Sequence, residues 1–215
     1  VPLFAFLGSL GAIILVFSLV RTRHGEFPTG VLLLAGVTAN FFFAAMVMFI
    51  HYLADFSQSF RIIRWLMGGL DITDYKTVLS ISPVVFLGIF ILMFISRDLN
   101  LISTGVHSAS SRGVDVARIQ KVGFITASLI TGTVVATSGP IGFVGLIVPH
   151  IVRLFVGPDL RILIPACMLF GASFLVACDT LARMLLAPTE IPVGIITAIL
   201  GGPFFVWLLK RKRQV

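Results

Sequence analysis

The stretch GPIGFVGLIVPHIVR, residues 139–153, interrupts an apolar run with helix-breaking residues. Each proline removes a backbone donor, and each glycine lacks a Cβ and lets another segment approach closely. Within hydrocarbon, such residues persist where neighbouring helices or a water-lined cavity satisfy the freed backbone groups. The stretch therefore predicts a broken membrane segment that lines a pathway. Its candidate pathway or gate residues are Gly139, Pro140, Gly142, Gly145 and Pro149.

The composition around this stretch is that of a membrane protein. Hydrophobic residues make up 58% of the chain and charged residues 12%, and the mean hydropathy is +1.08. This leaves too little polar surface for a soluble globule of 215 residues. Most apolar runs reach the ~20 residues that a helix needs to cross the hydrocarbon core. The expected fold class is all-α, a polytopic transmembrane protein with about seven spans: 3–20, 30–50, 78–96, 119–137, 141–156, 162–187 and 191–209.

The basic residues predict which side of the membrane each connection faces. An odd number of spans places the two termini on opposite sides. If the C-terminus is cytoplasmic, the inner side holds every Lys and Arg except Arg61, Arg64, Lys76 and Arg183. This is the positive-inside distribution. We therefore expect a cytoplasmic C-terminus and an N-terminus outside, and the net charge of +7 is explained by topology rather than by a nucleic-acid partner.

The longest inner connection, residues 97–121, is rich in small and polar residues. Such residues suit two short helices joined by a tight turn, beside which a partner protein can approach closely. A solvated loop is the alternative. The residues that favour a docking surface include Gly105, Ser108, Ala109 and Gly113.

The outer connection, residues 51–77, contains the short apolar piece 60–67. Arg61 and Arg64 recur three residues apart in it, and Trp65 supplies an interfacial anchor. This pattern is typical of a short helix lying at the membrane surface. A simple connector is the other interpretation.

Run 162–187 carries an ionisable pair. Asp179 and Arg183 are four residues apart, so on a helix they can face each other as an ion pair. Ionisable residues in a span are costly and mark either function or structural pairing. Arg183 lies near the outer end, where it can reach the surface and meet an acidic partner.

Two further patterns point to close packing and to a gate. Gly194, Ala198 and Gly202 form a ridge of small residues that lets a second helix approach, from the same subunit or from another copy. Thr29, between Pro28 and Gly30 at the inner mouth of the second run, is a candidate gate residue, although such residues suit any helix start.

Motifs for catalysis are absent from the sequence. It contains no Gly-x-x-x-x-Gly-Lys-Ser/Thr, no His-Glu-x-x-His and no Gly-x-Ser-x-Gly. No cluster of His, Cys and carboxylates has the spacing of metal ligands. We therefore expect no enzyme activity, no cofactor and no bound metal, and any ATP that the protein depends on must be bound by another polypeptide.

Three ordered blocks resemble the signature of the FecCD-type permeases, the membrane subunits of ABC importers for siderophore-iron, haem and cobalamin. The first block is 139–153, continued by Gly157-Pro158-Asp159. The second is DTLAR at 179–183, and the third is EIPVGIITA at 190–198, running into GGPFF at 201–205. A weaker similarity extends to the N-terminus. Because the family fold has ten spans, the resemblance implies that residues 1–215 are one permease domain that lacks three N-terminal spans.

The resemblance also implies partners. Family members are homodimers around a central pathway in the bacterial cytoplasmic (inner) membrane. Two separate ATPase subunits bind the ATP, and an extracytoplasmic substrate-binding protein delivers the cargo. A short outer helix borders the substrate entrance in the family, which favours the surface helix over a connector in 51–77.

By the same resemblance, individual residues receive roles. Gly105, Ala109 and Gly113-Val114 match the coupling helices that dock on the ATPase, and Ser108 lies among them. Arg183, oriented by Asp179, would meet acidic residues of the binding protein, and the ridge from Gly194 would face a partner helix or the pore. Two features depart from the family: Val106-His107 stand where acidic residues are usual, and Arg112 stands at a usually apolar position.

The function expected is that of a permease subunit that moves a bulky metal chelate inward, powered by a separate ATPase. An iron-siderophore is the first choice of cargo, and haem or cobalamin the next; the residues themselves do not select among them. The alternative is a self-sufficient secondary transporter driven by an ion gradient. Such a carrier usually needs a carboxylate near mid-membrane, and the spans offer Asp179 alone, which Arg183 can neutralise.

Overall fold

A computed structural model describes residues 2–20, 29–71, 74–185 and 189–212. Within these ranges the chain forms nine α-helices and no strand, so the all-α class is confirmed. The helices are α1 (Pro2–Val20), α2 (Thr29–Leu53), α3 (Phe56–Leu66), α4 (Tyr75–Ser103), α5 (Val106–Ser111), α6 (Val116–Ser138), α7 (Val144–Val156), α8 (Leu160–Leu185) and α9 (Val193–Lys212).

Seven of these helices coincide with the seven predicted apolar runs. Four of them contain stretches long and apolar enough to cross a membrane: Gly30–Leu53, Tyr75–Ser103, Val116–Ser138 and Leu160–Leu185. The apolar stretches of the other three, Phe4–Val16, Val144–Val156 and Val193–Leu208, are shorter.

The break predicted in the stretch 139–153 is confirmed. Residues 139–143 are not helical, and α7 begins at Val144 rather than at the predicted residue 141. With 13 residues, α7 is ~20 Å long at a rise of about 1.5 Å per residue. This is less than the ~30 Å of the hydrocarbon core, so the helix alone does not match a full crossing. Pro149 lies inside α7 without ending it.

The chain divides into two compact units. The first comprises residues 1–62 and 74–137, and the second comprises 63–73 and 138–215. The second unit therefore includes the last turn of α3 and the segment that follows it, although both are distant from the rest of that unit in sequence.

In the first unit, long helices pack through side chains. Gly88 of α4 lies against Ile130 and Thr126 of α6, and the buried hydroxyl of Thr133 donates a hydrogen bond of 2.7 Å to the Leu129 carbonyl. A buried hydroxyl that is bonded within its own helix leaves no open donor in apolar surroundings. Many large side chains face outward: Phe94 is 79% exposed. Such exposed apolar surface suits helices surrounded by lipid.

In the second unit, α7 and α8 form an antiparallel hairpin. Gly157, with φ 82°, ends α7 and donates its N–H to the Arg153 carbonyl at 3.0 Å. Asp159 then starts α8, because its carboxylate accepts the Arg161 N–H at 3.0 Å. The two helices enclose a core of Val148, Val152 and Leu163.

A second core lies at the other end of α8. Cys178 and Ala182 of α8 are buried with Val193 and Ile196 of α9. Leu70, Ile141, Phe174 and Ile191 pack against this core. Three segments thus converge on the C-terminal half of α8: the segment after α3, the broken segment and the start of α9.

Candidate functional site

Three glycines bring the converging segments into backbone contact. A Cβ added at Gly68 would meet the carbonyl oxygen of Pro140, and one added at Gly139 would meet the carbonyl oxygen of Trp65. A Cβ at Gly194 would likewise meet the carbonyl oxygen of Met67. We call Gly68, Gly139 and Gly194 the glycine junction. Because each neighbour is a backbone atom, no side-chain movement can make room for a larger residue.

Backbone hydrogen bonds hold the same segments together. The Gly69 N–H donates to the Ser138 carbonyl at 2.8 Å, and the Gly194 N–H donates to the Gly68 carbonyl at 3.4 Å. Gly68 and Gly139 have φ of 69° and 68°, in the left-handed region that glycine tolerates without a steric cost. These contacts satisfy backbone groups at the ends of α6 and α9, as a break at membrane depth requires. The sequence reasoning gave Gly68 no role, although a Gly-Gly pair after an apolar piece signals an unusual backbone.

The next residue of interest in the broken segment is Phe143, whose φ of 65° is uncommon outside glycine. The Val144 N–H donates to the Gly142 carbonyl at 2.8 Å and closes a turn centred on Phe143. The Phe143 ring lies against the backbone of Gly201 in α9. The centroids of the Phe143 and Phe205 rings are 6.2 Å apart. A non-glycine residue in the left-handed region costs about 1–3 kcal/mol and persists only when its surroundings hold it there. The contact between the Phe143 ring and Gly201 helps to hold this turn.

The predicted pathway residues therefore have different environments. Gly139 is buried at the junction, whereas Pro140, Gly142 and Gly145 are exposed. Added Cβ atoms at Gly142 and Gly145 would meet nothing within 4 Å. These exposed positions are free to line a passage, and the pathway role stays a prediction.

Five charged side chains surround the C-terminal end of α8, the end that the distribution of basic residues predicts to face outward. The Arg183 Nε donates to Asp179 Oδ2 at 2.8 Å, which confirms the predicted i, i+4 pair. Arg183 also reaches Glu190 Oε1 at 3.5 Å and Asp71 Oδ1 at 3.6 Å. Arg64 approaches the other oxygen of Asp71, Oδ2, at 3.7 Å. We call Arg64, Asp71, Asp179, Arg183 and Glu190 the Arg183 cluster.

The Arg183 cluster is an exposed network. Two arginines face three carboxylates, so its formal charge is −1. Asp179 is the least exposed member, at 24%, whereas the side chains of Arg64 and Asp71 are 63% and 54% exposed. Water and salt screen such pairs strongly. The sequence predicted Asp179 and Arg183 from their helical spacing but missed Asp71 and Glu190, because those contacts depend on tertiary structure.

The predicted docking connection differs from expectation in one respect. For 97–121 the sequence left two short helices and a solvated loop open, and the structure shows neither: α4 continues to Ser103, α6 starts at Val116, and α5 alone lies between them. Gly105 precedes α5 with φ 135°. Gly113, with φ 83°, follows it, and the Val114 N–H donates to the Ala109 carbonyl at 3.1 Å. This is the pattern of a glycine that ends a helix in the left-handed conformation.

The side chains of α5 differ in how deeply they are buried. Ala109 is 0% exposed, so it anchors α5 within the first unit and cannot face a partner, which corrects its expected role as a contact. Ser108 and Val114 are half-buried. The exposed side chains that α5 presents are those of Val106, His107, Ser110 and Ser111.

The three small residues predicted to form a ridge on α9 have different environments. Gly194 is part of the glycine junction, whereas Ala198 is exposed and a Cβ at Gly202 would meet nothing within 4 Å. Packing within the described residues therefore accounts for Gly194 but not for Ala198 or Gly202. Thr29 begins α2, and its side chain lies outside the described part of the structure.

Comparison with known proteins identifies the family. The sequence profile of the FecCD transport family matches residues 1–211. The chain belongs to the FecCD transport family. The resemblance seen in the three sequence blocks is therefore confirmed. As a FecCD protein, the chain is a multi-pass membrane protein of a transport family rather than an enzyme.

Several FecCD relatives are similar over nearly the whole chain. The hemin transport system permease protein HmuU of Yersinia pestis is 39% identical over 98% of this chain and 62% of its own length. The cobalamin import system permease protein BtuC of Halobacterium salinarum is 43% identical over 98% of this chain and 56% of its own length. The Fe(3+)-citrate import system permease protein YfmD of Bacillus subtilis is 33% identical over 99% of this chain and 63% of its own length.

A solved structure supports the same fold. It is described as an inward-facing conformation of a metal-chelate type ABC transporter, and it matches with a TM-score of 0.86 and 32% identity over 96% of this chain. The match covers 65% of that structure's chain. This FecCD chain thus spans less than two thirds of the length of these relatives.

Proposed function

We propose that this protein is the permease subunit of an ABC importer that moves a bulky metal chelate inward. The observation that carries the proposal is the TM-score of 0.86 to a metal-chelate type ABC transporter over 96% of the chain. The names of the relatives, which include hemin, cobalamin and Fe(3+)-citrate permeases, support the same class of cargo. Within that class, an iron-siderophore is our first choice and haem or cobalamin the next.

The distribution of charge in the second unit supports the proposed orientation. Arg153 and Arg161 flank the α7–α8 connection, and Lys210 lies near the end of α9. The antiparallel α7–α8 hairpin and the direction of α9 place these three at the end opposite the Arg183 cluster. Cytoplasmic ends of membrane helices are enriched in Lys and Arg. We therefore assign the Arg183 cluster to the extracytoplasmic side and the C-terminus to the cytoplasm of a bacterial inner membrane.

The ATPase docks at α5, on the connection 97–121 whose basic residues assign it to the cytoplasmic side. Two ATPase subunits would bind ATP, and their closure would move residues 97–121. Val106, His107 and Ser110 provide exposed contact area, while Gly105 and Gly113 fix the two ends of α5. Buried Ala109 keeps α5 attached to the first unit, so that an ATPase movement that displaces α5 also displaces the helices that pack against it.

The proposed transporter is a homodimer. Exposed Ala198 and half-buried Gly202, beside which an added Cβ would meet nothing within 4 Å, leave room on α9 for a second helix at close range. Pro140, Gly142 and Gly145 supply exposed, small positions for the passage itself. Wide passages lined by small groups bind cargo weakly, so selection among chelates would belong to the extracytoplasmic binding protein.

The test is co-purification with the ATPase encoded beside the permease gene. We compare wild type with Ser110→Arg, which adds a bulky cation to the exposed face of α5. The matched control is Ser57→Arg, the same change at an exposed position of α3. We expect wild type and the control to retain the ATPase and Ser110→Arg to lose at least about nine tenths of it, as steric blockage at an interface centre can cost ~1.4 kcal/mol or more.

Two results would count against the proposal in different ways. If no ATPase associates with wild type, the importer function is wrong, and uptake driven by an ion gradient becomes the function to examine. If Ser110→Arg retains as much ATPase as the control, the importer function stands and α5 is not the contact.

A further inference from the structure

Asn40 is a polar residue at the centre of a membrane-spanning helix. Helix α2 covers Thr29–Leu53, and its stretch Gly30–Leu53 is long and apolar enough to cross a membrane. At a rise of about 1.5 Å per residue, Asn40 lies ~17 Å from the start of α2. Since the hydrocarbon core is ~30 Å thick, Asn40 lies near the middle of the membrane. Its side chain is exposed, so the described residues do not enclose it.

The Asn40 amide makes no hydrogen bond among the described residues. An asparagine side chain carries two N–H donors and a carbonyl acceptor. Hydrocarbon holds no water that could satisfy these groups, so an amide without a partner is costly there. Asn40 must therefore meet water or a polar group from outside these residues.

Exposed hydroxyls in the spans of the same unit are arranged differently. Thr38, two residues before Asn40 on α2, donates to the Leu34 carbonyl at 2.9 Å. Thr131 of α6 donates to the Ala127 carbonyl, also at 2.9 Å. A hydroxyl that is bonded within its own helix can face lipid without leaving an open donor. Thr38 is therefore suited to lipid, whereas Asn40 is not, although the two lie at nearly the same depth.

Two faces of α2 also differ in the size of their side chains. Residues four apart lie on one helix face, which gives an Asn40 face and a Thr38 face. The Asn40 face consists of Gly36, Asn40 and Ala44, and the Thr38 face consists of Leu34, Thr38 and Phe42. The residues that flank Thr38 are large, apolar and more than half exposed, as on a helix surrounded by lipid. Those that flank Asn40 are small and exposed, and they leave space beside its amide.

We propose that the Asn40 face of α2 lines the water-filled passage of the transporter at mid-membrane. Water there satisfies the Asn40 amide, and polar groups of a passing chelate can take the place of that water. The inference rests on the proposed function, which requires a passage, and it assigns one hydrogen-bonding side chain to that passage. The Thr38 face of the same helix is assigned to lipid.

The experiment measures how fast a charged, water-soluble methanethiosulfonate reagent reacts with single cysteines placed on α2. The complete permease and its ATPase are reconstituted in nanodiscs, which leave both sides of the membrane open to the reagent. Native cysteines of the permease, including Cys167 and Cys178, are first replaced by alanine. Labelling is quantified on the permease chain by mass spectrometry.

Four single-cysteine variants compare the two faces. Asn40→Cys and Ala44→Cys test the Asn40 face, and the second of them leaves Asn40 itself in place. Thr38→Cys and Phe42→Cys are the matched controls, because they put the same thiol on the same helix at similar depth but on the Thr38 face. Each variant is also co-purified with the ATPase, so that only folded protein is compared.

The two cysteines of the Asn40 face should react faster than the two of the Thr38 face. The expected difference is at least about tenfold, because the thiolate is the reactive form and hydrocarbon strongly disfavours a charged group. The rates are measured with and without ATP, so that a passage that is closed at this depth in one state is sampled in the other.

Each contrary result has its own meaning. If the cysteines of both faces react equally slowly with and without ATP, the Asn40 face contacts another helix or lipid, and the inference is wrong. If Thr38→Cys reacts as fast as Asn40→Cys, the passage does not distinguish the two faces, and the inference is again wrong. Both results leave the proposed function intact as long as the wild type retains its ATPase. Loss of the ATPase from the wild type is instead a failure of the proposed function.

Discussion

The two units of the chain are packed by different means. In the first unit, Gly88 faces side-chain atoms, those of Ile130 and Thr126. In the second unit, Gly68, Gly139 and Gly194 face backbone carbonyl oxygens. A side chain can change rotamer when its neighbour grows, whereas a carbonyl moves only if the whole segment moves. The same substitution should therefore have very different costs in the two units.

The difference also separates two kinds of functional part. The first unit presents α5 between two long helices, where buried Ala109 anchors it and leaves the side chains of Val106, His107 and Ser110 exposed at the proposed ATPase contact. The second unit joins three chain segments at the glycine junction, and two of these segments also carry Asp71 and Glu190 of the Arg183 cluster. A rigid support keeps charged groups in position for recognition, because their geometry does not have to be established during docking.

The largest effect is expected for Gly194→Ala. The added methyl would collide with the Met67 carbonyl oxygen, so α9 or the segment after α3 must shift. We expect a loss of about 3 kcal/mol or more, at the severe end of overpacking. Thermal unfolding of the purified wild type and variant in the same detergent measures this loss of stability.

The control for this prediction is Gly202→Ala on the same helix. Its Cβ would meet nothing within 4 Å, and alanine favours a helix over glycine by ~1 kcal/mol. Gly202→Ala should therefore be neutral or slightly stabilising in the isolated subunit. Equal melting temperatures for the two variants would show that the junction is not rigid.

A smaller loss is expected for Gly201→Ala. The new methyl would meet the ring and Cβ of Phe143, whose left-handed backbone limits how far it can move. We expect a loss of about 2 kcal/mol, typical of overpacking against a side chain with little freedom. Thermal unfolding under the same conditions provides the measurement.

A double-mutant cycle shows whether Phe143 is the cause. Phe143→Gly removes the ring and supplies a residue that tolerates φ 65°. In that background Gly201→Ala should cost almost nothing, so the coupling energy should be about 2 kcal/mol. Additive losses would instead place the cost of Gly201→Ala elsewhere in α9.

The helices could be predicted from sequence because membrane spans are set by composition and length. All seven apolar runs became helices, and the broken stretch was recognised from its prolines and glycines. The bounds were less accurate. α7 starts three residues later than predicted because Phe143 adopts a left-handed conformation. One loop helix formed instead of two because α4 and α6 both extend into the connection.

The candidate site was predictable only where its contacts are local. Asp179 and Arg183 share a helix, so their spacing gave the pair directly. Asp71 reaches Arg183 only because the segment after α3 joins the second unit, and nothing in the local sequence encodes that contact. Gly194 was predicted to pack closely, but its neighbour, the Met67 carbonyl, follows from the same long-range placement.

The smallest effect in this comparison is expected for Gly88→Ala in the first unit. The new methyl would lie 2.5 Å from Ile130 Cγ1 and 2.6 Å from Cδ1, which are side-chain rather than backbone atoms. A small shift of the Ile130 side chain relieves this contact without moving a backbone segment, and alanine improves helix propensity, so we expect a net loss of about 1 kcal/mol or less. Ile130→Ala removes both atoms, so in that background Gly88→Ala should cost almost nothing, as read from the same thermal unfolding. If Gly88→Ala is as damaging as Gly194→Ala, the nature of the neighbouring atom does not govern the cost, and the contrast between the two units has another origin.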